Sequence, residues 1–339
     1  MNKLQQEEIG GGTATLIPSV EESDTLRDVE AQLDRIPLGA ARQRDVFSGT
    51  LRYLKALLIT LRPTQWYKNA ILFAGVVLSL NFTDISQVGL SILAFISFCG
   101  LSGSEYTLND LMDRKRDQVH SVKRLRPIAS GELGVSQAAI SAVGIATISL
   151  VIAYSINLEF FMVALGYLSL MIAYSLKIKY IVVLDNLTIG TGFVLRAVGG
   201  CLAIGVWISP WLIICTFLLA LFLAFAKRRS ELAVLTEGVE YHRPSLKELT
   251  KPLVEQLLNI TTAALIVSYL LYTFNSDHYF VMLTIPFPIY GLFRYLILMH
   301  SKDFGGEPEK LFRDKPIVIT LVLWGFCLVA ALYAGSVVS

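Results

Sequence analysis

Nine apolar runs dominate the chain, at roughly 66–82, 88–108, 136–157, 159–176, 184–205, 208–226, 253–274, 278–299 and 316–336. Each approaches the ~20 residues that a helix needs to cross ~30 Å of hydrocarbon. The first and fourth are short, and so are tilted or flanked by snorkelling residues. The sequence is 54% hydrophobic, and the excess lies in these runs rather than being spread along the chain. The expected fold class is all-α, a polytopic membrane protein of about nine transmembrane helices.

Charge placement tests that count. Lys and Arg cluster before the first run (Arg52, Lys55, Arg62, Lys68), after the second (Arg114 to Arg126) and after the fourth (Lys177, Lys179). They recur after the sixth run (Lys227 to Lys251) and around the end of the eighth (Arg294 to Lys315). The turns at 81–87, 157–158, 206–207 and 275–277 and the C-terminal tail carry neither. One alternation satisfies every loop under the positive-inside rule, with the N-terminus cytosolic and the C-terminus on the far side. All long polar loops then face the cytosol, and so does any chemistry. Residues 1–48 are polar and mixed in charge, and are expected to form a mobile cytosolic extension with a short helix over 22–36. Residues 49–339 hold the membrane body.

The second run leads straight into Asn109-Asp110-Leu111-Met112-Asp113-Arg114-Lys115-Arg116-Asp117. On a helix, Asn109, Asp113 and Asp117 lie one turn apart and so are expected to share one face, with Asp110 beside them. Carboxylates so placed repel one another unless a cation lies between them. Oxygen-only donors of this kind suit Mg²⁺ held together with substrate phosphates, so Asn109, Asp110, Asp113 and Asp117 are the candidate metal ligands. A solvated polar helix end is the bland alternative, but acids joined to a membrane helix are usually functional.

Basic residues gather near the same face. Lys123, Arg124 and Arg126 follow the acids and have the chemistry of phosphate clamps. Tyr174, Lys177 and Lys179 precede Asp185, which opens the fifth span. Arg196 lies three turns further, ~16 Å along the axis, too far to pair directly with Asp185. Lys227, Arg228 and Arg229 end the sixth span, and Lys68 and Asn69 open the first. Acids and bases at one membrane face point to a phosphorylated or diphosphorylated substrate bridged by Mg²⁺.

Other chemistries find no support. Cys99, Cys201, Cys215 and Cys327 all lie in apolar runs without metal-ligand spacing, and read as packing residues. The four histidines make no zinc motif, and no phosphate-binding P-loop, nucleophile elbow or nucleic-acid module is present.

The Asn-Asp-x-x-Asp-x-x-x-Asp stretch, the Arg126-Pro127-Ile128-Ala129-Ser130-Gly131 that follows, and the nine-span layout resemble the UbiA family of intramembrane prenyltransferases. The resemblance covers roughly 55–335. Within the family the chain is similar to a branch that transfers a phosphoribosyl group to polyprenyl phosphate. Carrying that likeness are Arg62-Pro63-x-Gln65-Trp66-x-Lys68-Asn69, Tyr174-Ser175-Leu176-Lys177-x-Lys179, Asp185, Phe193-Val194-Leu195-Arg196-Ala197, Lys227-Arg228-Arg229-x-Glu231-Leu232 and Gly306-Glu307-Pro308-Glu309.

The resemblance implies a UbiA-like bundle with a cytosolic-facing site in the cell membrane. It implies 5-phosphoribosyl 1-diphosphate as donor, a decaprenyl-type phosphate as acceptor, and Mg²⁺ as cofactor. Asp110, Asp113, Asp117 and Asp185 then carry catalysis. Lys68, Asn69, Lys123, Arg126, Tyr174, Lys177, Lys179, Arg196, Lys227, Arg228 and Arg229 bind substrate. Aromatic prenyltransferases of the family usually bear a second Asp-x-x-x-Asp at the fifth span. Here Asp185 stands alone, with Ile181 and Ile189 four residues to either side. That departure disfavours the alternative of prenyl transfer to an aromatic ring. A transporter, the other alternative, predicts polar residues at mid-membrane depth in several spans.

Overall fold

The apolar runs propagate as helices because little inside them stops propagation. Pro127, Pro210, Pro252, Pro286 and Pro316 all fall in the first turn of a helix, where a missing N–H costs nothing. The computed structural model describes residues 38–234, 249–276, 278–300 and 313–338. The helices are α1 (Leu38–Leu61), α2 (Ala74–Leu78), α3 (Ile85–Val119), α4 (Pro127–Ser130), α5 (Val135–Ile156) and α6 (Leu158–Leu176). They continue with α7 (Leu184–Ala203), α8 (Pro210–Val234), α9 (Lys251–Phe274), α10 (Pro286–His300) and α11 (Lys315–Val338). By its contacts the chain divides into Met1–Leu54 and Lys55–Ser339, and the described part of the first is the opening of α1. The expected helix over 22–36, His242, Arg243 and the Gly306–Glu309 stretch lie outside the described residues.

Eight of the described helical segments are long and apolar enough to cross a membrane: α3, α5, α6, α7, α8, α9, α10 with the turn before it, and α11. The first expected run is built differently. Residues Pro63–Phe73 form a 3₁₀ helix, followed by the five residues of α2. At ~2.0 Å per 3₁₀ residue and ~1.5 Å per α residue this piece still reaches roughly 30 Å. Its three-residue period aligns Trp66, Asn69 and Leu72 in one row, and Asn69 and Leu72 are buried. The piece packs backbone to backbone on α7. A Cβ on Gly200 would lie 2.0 Å from the Leu72 carbonyl oxygen, so only glycine fits there.

Among the described residues there are three buried apolar clusters, a smaller one around Val281, Leu328, Ala331 and Leu332 and two that frame the site. One joins α3, α5, α6 and the 3₁₀ segment through Leu72, Phe98, Leu101, Phe160 and Tyr167. Phe98 lies 5.7 Å from Phe160 and 5.1 Å from Tyr167, ring centre to ring centre. The other joins α8, α9, α10 and α11 through Phe222, Leu258, Tyr295 and Ile317. Between them α7 packs on both α6 and α8. Large apolar side chains such as Ile140, Val151, Val322 and Phe326 point outward, as lipid contact requires.

Caps fix the ends that matter. Asp84 accepts from the Ser86 and Gln87 N–H groups and starts α3. Helix α3 then runs 35 residues, ~52 Å at 1.5 Å per residue. It therefore exceeds the hydrocarbon thickness by ~20 Å and carries the acidic stretch as its own continuation. Asn157 accepts from the Phe160 N–H, and its amide donates to the Leu202 carbonyl, so one side chain ties the start of α6 to the end of α7.

Candidate active site

The end of α3 meets basic side chains from several other elements. The Lys179 ammonium lies 3.0 Å from Asn109 Oδ1 and 2.9 Å from each oxygen of Asp113. Arg126 Nη1 donates to Asp110 Oδ1 at 2.9 Å and to Asp117 Oδ2 at 2.7 Å. Arg62 also pairs with Asp110 and stacks on the Tyr106 ring. Arg62–Asp110–Arg126–Asp117 thus alternates in sign along a chain of contacts. Arg116 approaches Asp113 at 3.8 Å and donates to the Tyr180 hydroxyl.

This arrangement corrects the expectation that Asn109, Asp113 and Asp117 share one face. At about 100° per residue, position 113 is displaced by ~40° from 109, position 117 by ~80°, and position 110 by ~100°. Asp117 therefore aligns with Asp110 and not with Asn109. The stretch has two rows, Asn109 with Asp113 toward Lys179, and Asp110 with Asp117 toward Arg126.

Backbone strain flanks the site. Arg62 has φ 52° and ψ 63°, a left-handed conformation in a residue that precedes proline. Val183 has φ 67° and ψ −45°, with the Leu184 N–H donating to the Val182 carbonyl in a tight γ-turn. Such conformations cost of order 1–3 kcal/mol and gather at functional sites. Here they aim the Arg62 guanidinium at Asp110 and start α7 so that Asp185 points inward.

Asp185 belongs to a second, sealed group. Its carboxylate pairs with Arg228 of α8 at 3.0 Å, with side-chain exposures of 0% and 2%. Arg228 also pairs with Glu231, and Tyr174 of α6 lies within its electrostatic reach. Asp185 and Arg196 do not pair, as their spacing predicts.

Deeper in the bundle is a polar seam. Arg196 donates to Asn69 Oδ1 at 2.7 Å, to the Gly192 carbonyl at 2.9 Å and to the Tyr167 hydroxyl at 2.6 Å. Its guanidinium also stacks on the Tyr167 ring at 4.5 Å. Asn69 donates in turn to Ser102 at 3.2 Å. The buried Asn69 thus binds the 3₁₀ segment to α3 and α7 at once. An apolar groove lined by Thr191, Val194, Ile213, Ile214, Phe217 and Leu218 lies between α7 and α8 and holds no ionisable group.

The remaining expected binders are less central. Arg229 turns away: it pairs with Glu255 at 3.1 Å and donates to the Met299 carbonyl, so it ties α8 to α9 and α10 and is not brought to the acids. Lys177 and Lys227 are exposed, and Lys123 is half-buried in the turn after α3. Lys68 is half-buried over the Tyr67 ring. Two residues escaped the sequence-based site. Arg62 read as a flanking positive charge and as part of a motif, but not as a partner of the acids. Glu105, 7% exposed, lies one turn before Asn109 on the same row. The signal that finds it is an ionisable residue inside an apolar run.

Three hard oxygens, from Asn109 and Asp113, already converge on one positive charge, the Lys179 ammonium. Oxygens so placed fit a hard divalent cation. Among the described residues no three carboxylate, imidazole or thiol groups are preassembled as a metal site. The reason is visible: Lys179 and Arg126 occupy the gaps between the acids.

Known proteins place this architecture. A protein from Corynebacterium glutamicum named decaprenyl-phosphate phosphoribosyltransferase is 31% identical over 80% of the chain and 85% of its own length. One of the same name from Mycolicibacterium smegmatis is 28% identical over 83% and 93%. Among solved structures, a UbiA homologue from Archaeoglobus fulgidus bound to GPP and Mg²⁺ superposes with a TM-score of 0.65 at 20% identity, covering 82% of this chain and 99% of that one. The profile of the UbiA prenyltransferase family matches residues 70–315. With the eight apolar helices and the acidic end of α3, this match establishes that the chain is an integral membrane protein of the UbiA prenyltransferase family.

Proposed function

We propose that the protein transfers a 5-phosphoribosyl group from 5-phosphoribosyl 1-diphosphate to a long-chain, decaprenyl-type polyprenyl phosphate, releasing diphosphate. The observation that carries this reading is the basic lining of the acidic helix end. Arg62, Arg126 and Lys179 meet the α3 acids. The position of a second acidic motif holds only Asp185, sealed by Arg228. A site so rich in cations suits phosphates on both substrates better than a donor with one diphosphate and an apolar tail. The names of the two relatives support the same activity.

The bond that breaks joins the ribose C1 to the diphosphate oxygen, and the electron pair leaves with diphosphate. The bond that forms joins C1 to an oxygen of the acceptor phosphate. That phosphate is already ionised, so no strong general base is needed. Asn109, Asp110, Asp113 and Asp117 would hold Mg²⁺, which when bound supplies charge neutralisation to the departing diphosphate. Lys179 and Arg126 then face the phosphates with donors suited to them. Arg196 keeps N–H groups beyond the three it uses and is available to the 5-phosphate. The bundle around the site excludes water and limits hydrolysis of the donor. The Lys/Arg alternation supports a site on the cytosolic side of the cell membrane, with 49–339 as the catalytic body.

The test is turnover by purified protein given labelled 5-phosphoribosyl 1-diphosphate, polyprenyl phosphate and Mg²⁺. Lipid-linked phosphoribose is the expected product, and its absence refutes the reading. Transfer from a prenyl diphosphate to a 4-hydroxybenzoate-like acceptor would move the protein to the aromatic branch.

A further inference from the structure

Glu105 differs from the four aspartates of the site described above. Asp110, Asp113, Asp117 and Asp185 each touch a basic side chain. Glu105 makes no ion pair among the described residues. Among the described residues its one hydrogen bond comes from the Ser175 hydroxyl, at a long 3.4 Å. It is nonetheless 7% exposed and sits within a membrane-crossing helix. A carboxylate there is costly without donors to satisfy it.

The position of the residue narrows what those donors are. Relative to Asn109, position 105 lies ~6 Å deeper along the axis and within ~40° around it, and Ser102 continues the same row. The row Asp113, Asn109, Glu105, Ser102 is therefore a polar stripe running from the phosphate end into the bundle. It stops at Phe98, which packs on Phe160 and Tyr167. Facing the stripe from α7 is Arg196, 6% exposed and likewise without an ion pair among the described residues. Arg62 and Arg196 are both within electrostatic reach of Glu105, yet neither pairs with it. A buried carboxyl and a buried guanidinium with spare N–H groups, facing one polar seam, are both completed by a ligand with hydroxyl donors and a phosphate. Phosphate alone would bring Glu105 no donors, and a prenyl chain would offer neither group a partner.

We propose that Glu105 is a specificity-determining residue whose carboxylate accepts hydrogen bonds from the ribose hydroxyls of the donor. This inference rests on the phosphoribosyl reading above. It assigns the sugar ring to the level just inside the Asn109–Asp113–Lys179 cluster. A vicinal diol offers two O–H donors at the spacing of one carboxylate, and hydrogen bonds to a charged acceptor are the stronger kind.

The experiment compares three donors, the parent 5-phosphoribosyl 1-diphosphate and its 2-deoxy and 3-deoxy analogues, in wild type, Glu105→Gln and Ser175→Ala. Wild type is expected to prefer the parent by about 10²-fold or more in kcat/KM, as sites built for a hydroxyl do. In Glu105→Gln the parent is expected to lose about 10²-fold while the deoxy donors lose little, so the preference collapses. In Ser175→Ala the preference is expected to persist, which separates hydroxyl recognition from a mere structural bond between α3 and α6. An unchanged preference in Glu105→Gln overturns the proposal. Should that variant fail to fold, wild type alone decides: equal turnover of all three donors overturns it. Failure of wild type to use any phosphoribosyl donor instead overturns the underlying reading, and this one with it.

Discussion

Two groups of ion pairs lie at one end of this bundle, and they are built from the same chemistry for different ends. On α3 each pair has one member that reaches the surface, Asp113 at 22% against Lys179 at 6% and Arg126 at 29% against Asp110 at 3%. Between α7 and α8, Asp185 and Arg228 are sealed at 0% and 2%. A pair that reaches water can exchange partners when an anionic substrate arrives. A sealed pair cannot do so without opening the helix packing. The proposed reaction therefore falls to the α3 pairs, and the α7–α8 pair is proposed to hold the helices that frame them.

The largest expected effect tests the sealed pair. Arg228→Met leaves the Asp185 carboxylate buried without its guanidinium, and such half-removals cost about 3–5 kcal/mol. Chemical unfolding in detergent micelles should show that loss. The double change Asp185→Leu with Arg228→Met should recover most of it, because a buried pair replaced whole by apolar groups is often neutral. A stable but inactive Arg228→Met would break the comparison and move Arg228 into the chemistry, as the sequence alone proposed for it.

Next in size is the open group. Asp110→Asn and Asp113→Asn are each expected to lower kcat by ~10²-fold or more, the scale of losing one electrostatic stabiliser. The unfolding midpoint of Asp110→Asn should move far less than that of Arg228→Met, since Arg62 and Arg126 are partly exposed and can turn to water. Near-normal turnover in both variants would remove the acidic stretch from the site.

Much of this contrast was legible before any coordinates. The spans followed from run length and the acidic helix from its spacing. The departure at Asp185 marked the second group as unlike the first. What could not be read was which acids face which bases. Four-residue spacing suggested one row over 109, 113 and 117, but the 3.6-residue turn rotates Asp117 onto the row of Asp110. The irregular path of 63–78 was hidden too, because a 3₁₀ run depends on how closely Gly200 lets Leu72 approach. Arg229 looked like its neighbour Arg228, yet one residue turns it by ~100° toward Glu255. Glu105 was readable in principle, as a carboxylate inside an apolar run, and its lack of a basic partner emerges only in three dimensions.

The smallest effect bears on how the open group works. Lys179 is itself nearly buried, and its ammonium occupies the point where Asn109 and Asp113 converge. A divalent cation bound by those oxygens competes with it directly. Lys179→Met should therefore tighten binding of Mn²⁺, a paramagnetic probe for Mg²⁺, by about tenfold without donor, or ~1.4 kcal/mol. Electron paramagnetic resonance of free Mn²⁺ measures this without turnover. The same variant should turn over more slowly, because the lysine that leaves the acids is the one that meets the phosphates. Weaker Mn²⁺ binding in Lys179→Met would mean that the ammonium organises Asn109 and Asp113 instead of standing in for the metal. The open pairs would then be scaffold like Asp185 and Arg228, and the difference between the two groups would be one of exposure alone.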